Sequence, residues 1–391
     1  MQLDDQPLAL LGTLLGTSGD SPAGAVIVEA GRITQVLVSP DARQLPPRQL
    51  QAAYVAPGFV DLQVNGAFGH EVDDSAAALV ALARSLPATG VTTFLPTLVS
   101  RAPERYPRCF AAFDVARAAT KVDRLAARPL GLHLEGPLLS PARAGAHDAA
   151  AIAGATAASL NQLADPGRVA LVTLAPERRD ALMLITHLRA RGIAVSLGHT
   201  DASFDAFTAG VDAGATLATH VWNAMSPLHH RAPGATGAAL IDDRVTALAI
   251  ADGVHTHPAA FALAVRAKGP DRLGLVTDAV AAAGTAAGTI TALAGRPVST
   301  DGGSARLQDG TLAGSTLTMD QAVRNACRLG ALSPASAVHM ATTVPARAMG
   351  WLDAGPLLRP GAAADLVLLD ADLHVQATLV GGRVAFQRPP A

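Results

Sequence analysis

One pattern constrains the fold of this chain more than any other. Eight short apolar runs, at 58–63, 92–95, 130–134, 169–174, 193–197, 216–219, 248–251 and 273–277, alternate with Ala/Leu-rich stretches of helical character. The helical stretches include 75–86, 178–191, 203–213 and 259–268. Strands alternating with helices build a parallel sheet in an α/β domain. Eight such units suit a (β/α)8 TIM-like barrel, whose sites sit at the C-terminal ends of the strands. A doubly wound sheet explains the alternation equally well. It would not bring the first and last strand ends together.

The polar residues fall where a barrel wants them. Gln63 and Asn65, Glu135, His199, His220, Asp252 with His255, and Asp278 each lie at or just past the end of a run. Two imidazoles and a carboxylate, Glu135, His199 and His220, form a candidate metal set. They suit Zn²⁺ or a similar divalent ion and leave a coordination position open for water. Gly198 before His199 would let the backbone bend at the strand tip. His133 shares the strand and side of Glu135 by period-2 alternation and stays an alternative ligand. Asp278 would face the metal set across the barrel mouth, where it can take a proton from water and give it to a leaving amine. Its alternative reading is an N-cap for the following segment.

The flanks read differently. Strands at 25–29 and 33–38 bracket Gly31-Arg32, a hairpin signal, and further strands are expected at 365–369, 375–380 and 383–386. Such strands are marginal alone. They predict one small β domain from both ends of the chain, residues 1–55 plus 356–391, with the barrel at 56–355.

Composition narrows the function. The 391 residues are 50% hydrophobic and carry a net charge of −2, without the basic balance of a nucleic-acid binder. Two cysteines, Cys109 and Cys327, make no disulfide framework or thiolate site. The apolar stretch 8–15 follows Asp4 and Asp5 instead of a basic region, and no run is long enough to span a bilayer. A cytoplasmic protein is the expectation, with no membrane or nucleic-acid partner.

Several motifs together carry a family resemblance. They are Val55-Ala-Pro-Gly-Phe-Val-Asp61, Gly131-Leu-His-Leu-Glu-Gly-Pro137, Gly145-Ala-His147, Leu197-Gly-His-Thr200, Thr219-His-Val-Trp-Asn-Ala-Met225, Ala251-Asp-Gly-Val-His255, Val276-Thr-Asp278, Leu312-Ala-Gly-Ser-Thr-Leu-Thr-Met319 and Pro360-Gly-Ala-Ala-Ala-Asp-Leu-Val367. In this order they resemble the N-acetylglucosamine-6-phosphate deacetylases of the amidohydrolase superfamily.

The resemblance implies a barrel with a small β-sandwich built from both chain ends. It implies Glu135, His199 and His220 as metal ligands and Asp278 as catalytic acid/base. It assigns Asn223, Ala224, Arg231 and His255 to the sugar phosphate, some reaching a neighbouring subunit of a homodimer. Ala146 and His147, Asp252, Gly253, Val254 and His255, and Leu312, Ala313 and Gly314 would line the sugar and acetyl sites. The implied reaction is metal-dependent hydrolysis of N-acetyl-D-glucosamine 6-phosphate to glucosamine 6-phosphate and acetate. The galactosamine epimer is an alternative substrate, and a non-catalytic sugar-phosphate binding protein is the alternative outside enzymes.

Two departures matter. Many relatives carry His-x-His after the first strand, where this chain has Gln63-Val-Asn65, and carboxamides are poor zinc ligands. One divalent metal per subunit is therefore expected, Zn²⁺ first, with Fe²⁺, Co²⁺ and Mn²⁺ compatible. The stretch Ser140-Pro-Ala-Arg-Ala-Gly145 lacks a lysine pair often found there, leaving Arg143 as a substitute cation. For the phosphate, Arg231 offers a bidentate fork, with His229, His230 and His255 as further donors and the Asn223-Ala224 amides completing the cradle. Glu177, His70-Glu71, His257 and His374 receive no role.

Overall fold

The computed structural model describes residues 6–16, 21–352 and 357–389. Asp4, Asp5 and the boundary expected at 355/356 lie outside the described residues. The eight expected strands are all present and in sequence order: β1 (Phe59–Val64), β2 (Val91–Val99), β3 (Leu132–Glu135), β4 (Val169–Leu174), β5 (Ala194–Leu197), β6 (Leu217–Ala218), β7 (Thr246–Ala249) and β8 (Leu273–Leu275). Each pairs in parallel with the next. Their side chains are almost all buried because helices cover the outer face and the barrel interior is filled. That is why the runs read as apolar without clean alternation.

The barrel closes just beyond β8. The Asp278 N–H donates to the Gln63 carbonyl at 3.0 Å, and the Asn65 N–H donates to the Ala279 carbonyl at 2.8 Å. Asp61 reinforces the seam from inside: its carboxylate accepts the Thr277 hydroxyl at 2.6 Å and the Thr277 N–H at 3.2 Å. The doubly wound alternative is excluded, since first and last strand ends now share hydrogen bonds.

Local signals set the helix starts. Ser75 and Ser203 cap the helices Ala76–Ser85 and Phe204–Asp212 by accepting backbone N–H bonds from Ala78 and Ala206. The stretch expected to be helical from 178 begins only at Ala181. Arg178 is instead spent on the backbone, donating to Leu139, Ile152 and Ala155 carbonyls and so clamping the loop after β3.

Both chain ends meet in a separate seven-stranded sheet. The strand Leu8–Leu14 pairs in parallel with Arg48–Pro57, which pairs antiparallel with Leu366–Leu369. Leu10, Val26, Val55, Leu366 and Leu379 belong to an apolar cluster distinct from the barrel core. The N-terminal hairpin turns one residue earlier than its sequence signal, at Ala30-Gly31, both with positive φ. Arg32 already belongs to the returning strand.

A three-stranded antiparallel sheet, Ile290–Leu293, Arg296–Thr300 and Ala305–Leu307, follows the seam. It packs on Val99, Val280 and Ala282 over the barrel mouth. Glu71 accepts the Ala294 N–H and Arg296 donates to the Ala146 carbonyl, tying this insert to two mouth loops. Among the described residues no helix is long and apolar enough to cross a membrane.

Candidate active site

β3, β5 and β6 deliver Glu135, His199 and His220 to one point. Glu135 is the last residue of β3; the histidines sit two and two residues past β5 and β6. One ligand-type atom from each lies within 4.8 Å of the other two. His220 Nε2 is 3.0 Å and His199 Nε2 3.3 Å from Glu135 Oε1, and the two Nε2 atoms are 3.2 Å apart. All three residues are buried.

The backbone reaches this geometry by strain at the tips. His199, His220 and Asp278 have φ of +46°, +29° and +50°. L-residues avoid that region, and such outliers cluster at functional sites. The bend falls on His199 itself and not on Gly198. Gly198 is required for another reason: a Cβ there would lie 2.7 Å from the Thr219 Cβ. The neighbouring strands approach too closely for a side chain.

Hydrogen bonds identify the imidazole tautomers. His199 Nδ1 lies 2.8 Å from the Arg143 carbonyl, which can only accept, so Nδ1 carries the proton. Its Nε2 lone pair then faces Glu135 and His220. The Ser100 N–H donates to His147 Nδ1 at 3.0 Å, so neutral His147 carries its proton on Nε2, 3.5 Å from Glu135 Oε2. Burial, then His199, push His147 down to about 4, which keeps it neutral. Burial alone would raise Glu135, but the adjoining imidazoles of His147, His199 and His220 hold it well below the ordinary carboxylate range. Burial would lower His220, and Glu135 overrides it and raises it. Three electron-pair donors facing one another at hydrogen-bond range, one with its far nitrogen fixed by a carbonyl, match what a divalent metal requires.

Asp278 lies across the mouth. Its Oδ1 accepts from Gln63 Nε2 at 3.0 Å and Asn65 Nδ2 at 2.7 Å. Gln63 Nε2 also donates to Glu135 Oε1 at 2.8 Å. Burial, then the Glu135 charge, push Asp278 up to about 6. No helix starts after Asp278, so it caps none.

His133 is not in this cluster. Its ring lies under the mouth, with Nδ1 3.1 Å from the Leu62 carbonyl and Nε2 2.8 Å from Thr173 Oγ1.

A cavity of about 370 Å³ opens over these groups. Ala146, His147, Asn223, Ala224, His255, Leu312 and Gly314 line it together with Glu135, His199, His220 and Asp278. Asp252, Gly253, Val254 and Ala313 do not. Asp252 acts one step back: Oδ1 accepts the Val254 and His255 N–H groups, and Oδ2 lies 2.6 Å from His255 Nδ1, orienting that ring. Arg231 lies in an adjacent hollow with His229, Asp201 and Arg143, exposed and 2.7 Å from His230 Nε2. Arg143 borders both hollows and pairs with Asp201 at 2.8 Å. Glu177 buttresses the loop after β5, accepting from Thr200 Oγ1 at 2.5 Å and the Asp201 N–H at 2.7 Å.

Sequence reasoning passed over Leu293, in the insert, and Thr311, just beyond it, which line the cavity. Nothing in their local pattern marks them. Asp61 stands within a motif, and a lone carboxylate in the middle of the apolar β1 run is the available signal.

The chain matches the amidohydrolase family model over residues 54–387. It is 40% identical over 339 residues to N-acetylgalactosamine-6-phosphate deacetylase of Escherichia coli O157:H7, covering 85% of this chain and 88% of that one. It is 41% identical over 352 residues to human N-acetylglucosamine-6-phosphate deacetylase, covering 86% and 84%. Among solved structures, a mutant N-acetyl-D-glucosamine-6-phosphate deacetylase from Mycobacterium smegmatis, in complex with N-acetyl-D-glucosamine 6-phosphate, superposes with a TM-score of 0.90 at 35% identity, covering 98% of this chain and 100% of that one.

Proposed function

This chain belongs to the amidohydrolase family, and from that premise we propose that it hydrolyses N-acetyl-D-glucosamine 6-phosphate to D-glucosamine 6-phosphate and acetate. The observation that carries the reading is the convergence of Glu135, His199 and His220 within 4.8 Å beneath a cavity that also holds Asp278.

In this reading the three side chains hold one divalent ion, Zn²⁺ first, with Fe²⁺, Co²⁺ and Mn²⁺ compatible with the same donors. Bound there, such an ion would lower the pKa of water and polarise the acetyl carbonyl. Asp278 accepts the proton of the attacking water and passes it to the departing nitrogen. The His147 Nε2–H, 3.5 Å from Glu135 Oε2 at the cavity wall, turns to the oxygen on which charge develops. His255, held by Asp252, and the Asn223-Ala224 segment contact the sugar.

Arg231 supplies the phosphate fork. Its position outside the cavity, on an exposed loop beside Leu228, which is 46% exposed, favours a homodimer in which it serves a neighbouring chain's cavity. Arg231→Ala should then raise KM for the phosphorylated sugar far more than for the unphosphorylated one. Equal effects on both would remove the assignment.

The deciding assay is acetate release from N-acetyl-D-glucosamine 6-phosphate before and after chelation, with restoration by Zn²⁺. Absence of acetate from the metal-loaded protein would reject the reading and leave sugar-phosphate binding as the alternative. The likeness to the galactosamine enzyme favours a second substrate. Comparing kcat/KM on the two epimers decides between them.

A further inference from the structure

We infer that Asn65, with Gln63 beside it, is a positioning residue that selects which oxygen of Asp278 handles the proton; the inference rests on the deacetylase reading above. Gln63 and Asn65 occupy alternate positions at the end of β1 and project to the same side, toward the barrel interior. The seam fixes their height. The Asp278 N–H bonds the Gln63 carbonyl at 3.0 Å and the Asn65 N–H bonds the Ala279 carbonyl at 2.8 Å, so the carboxylate of Asp278 cannot slide along β1.

Both amide groups spend their N–H bonds on one oxygen. Asp278 Oδ1 receives Asn65 Nδ2 at 2.7 Å and Gln63 Nε2 at 3.0 Å. Among the described residues Oδ2 receives no protein donor, and Asp278 borders the cavity. The pair therefore divides the carboxylate into a held oxygen and a working one.

The amide orientation follows from charge. Turned over, each side-chain carbonyl would face a carboxylate oxygen. As they stand, Gln63 Oε1 and Asn65 Oδ1 are buried without a hydrogen-bond partner. Leaving two buried carbonyls unpaired is unfavourable, so the amides are not placed to satisfy themselves. They are placed to hold Asp278. Gln63 also bonds Glu135 Oε1, so its removal disturbs the metal set. The Asn65 side chain hydrogen-bonds Asp278 alone and is the clean probe.

Asn65→Ala and Asn65→Asp separate positioning from packing. The aspartate keeps shape and volume but places an acceptor against Oδ1. If Asn65 only fills space at the seam, Asn65→Asp should be the milder change. If it orients Asp278, Asn65→Asp should be the more damaging. We expect kcat for acetate release to fall on the order of 100-fold in Asn65→Ala and further in Asn65→Asp. KM, Zn²⁺ content per chain and melting temperature should hold. Unchanged kcat, an aspartate variant more active than the alanine one, or a loss that tracks lost Zn²⁺ would each overturn the inference. Wild-type protein in the same assay separates the two levels: acetate from it with an indifferent Asn65 rejects only the positioning role, whereas no acetate from it rejects both.

Discussion

Two polar regions share the barrel interior within a turn of backbone of each other, and they are built on opposite terms. The floor is a chain of satisfied groups. His133 Nδ1 donates to the Leu62 carbonyl, so its Nε2 accepts from Thr173 Oγ1 at 2.8 Å; Thr173 in turn meets Thr219 at 2.7 Å, and Thr219 meets Ser196 at 2.6 Å. The mouth is unsatisfied. His220 Nδ1, Gln63 Oε1 and Asn65 Oδ1 are buried without partners among the described residues, and two buried carboxyls, Glu135 and Asp278, share one donor in Gln63. Four non-glycine residues lining the mouth, His199, His220, Ala224 and Asp278, have left-handed backbone; none of the four floor residues does. A buried polar network that closes on itself stabilises a fold. One that does not is arranged for something the chain alone lacks.

The largest effects should come from breaking the mouth. Asp278→Asn keeps shape and both amide neighbours within reach but removes the proton acceptor. We expect kcat to fall by about 10²–10⁴-fold, with metal content and melting temperature held; near-wild-type turnover would remove Asp278 from the chemistry. Chelation should abolish activity outright. It should also lower the melting temperature, because an ion bound only by the folded state stabilises it by about 2.7 kcal/mol at a hundredfold excess over Kd. Calorimetry with and without chelator reads this. An identical transition would mean that the three ligand-type side chains are content alone. Metal analysis should find one ion per chain, since Gln63 and Asn65 commit their N–H groups to carboxylates.

Breaking the floor should reverse the balance of effects. His133→Ala strands the Leu62 carbonyl and the Thr173 hydroxyl and leaves a cavity. We expect a loss of about 2–4 kcal/mol in unfolding free energy, with Zn²⁺ content unchanged and a smaller change in kcat than any mouth variant gives. A His133→Ala protein that is stable but metal-free would place His133 among the ligands after all.

The sequence carries these two regions unequally. Alternation of apolar runs and helical stretches announces the barrel, and the acids and imidazoles at run ends announce the mouth, because parallel strands put successive tips on one rim. The floor is invisible in the same letters: Thr173, Ser196 and Thr219 look like ordinary strand residues, and His133 looks as good a ligand as Glu135 until the Leu62 carbonyl is seen beside it. Backbone conformation is equally hidden. Gly198 suggests the bend, yet His199 makes it, and Gly198 answers instead to the closeness of Thr219. The insert at 290–307 is silent for a further reason. Its short strands pair with one another, and Glu71 and Arg296, far apart along the chain, help tie them to the mouth loops.

Asp61 stands between the two regions and gives the subtlest test of how they differ. It is buried, 1% exposed, and joined to Thr277 across the seam. It accepts hydrogen bonds on both oxygens, as the floor groups are satisfied, yet it is a buried carboxyl like those of the mouth. Burial is the main cause that pushes it up to about 7, against the hydrogen bonds from Thr277. The sign follows from linkage. An acid whose folded value lies above its unfolded value near 3.9 stabilises the fold while protonated. That contribution is complete below about pH 4 and is lost as pH rises through about 7. Asp61→Asn keeps an oxygen for one of the two Thr277 donors and cannot ionise. The wild type should therefore lose stability relative to Asp61→Asn between roughly pH 4 and pH 7. Melting temperatures of both proteins at the two ends of that window measure the gap. A gap that stays constant would mean that Asp61 is ionised throughout, with its Thr277 bonds strong enough to carry a buried charge.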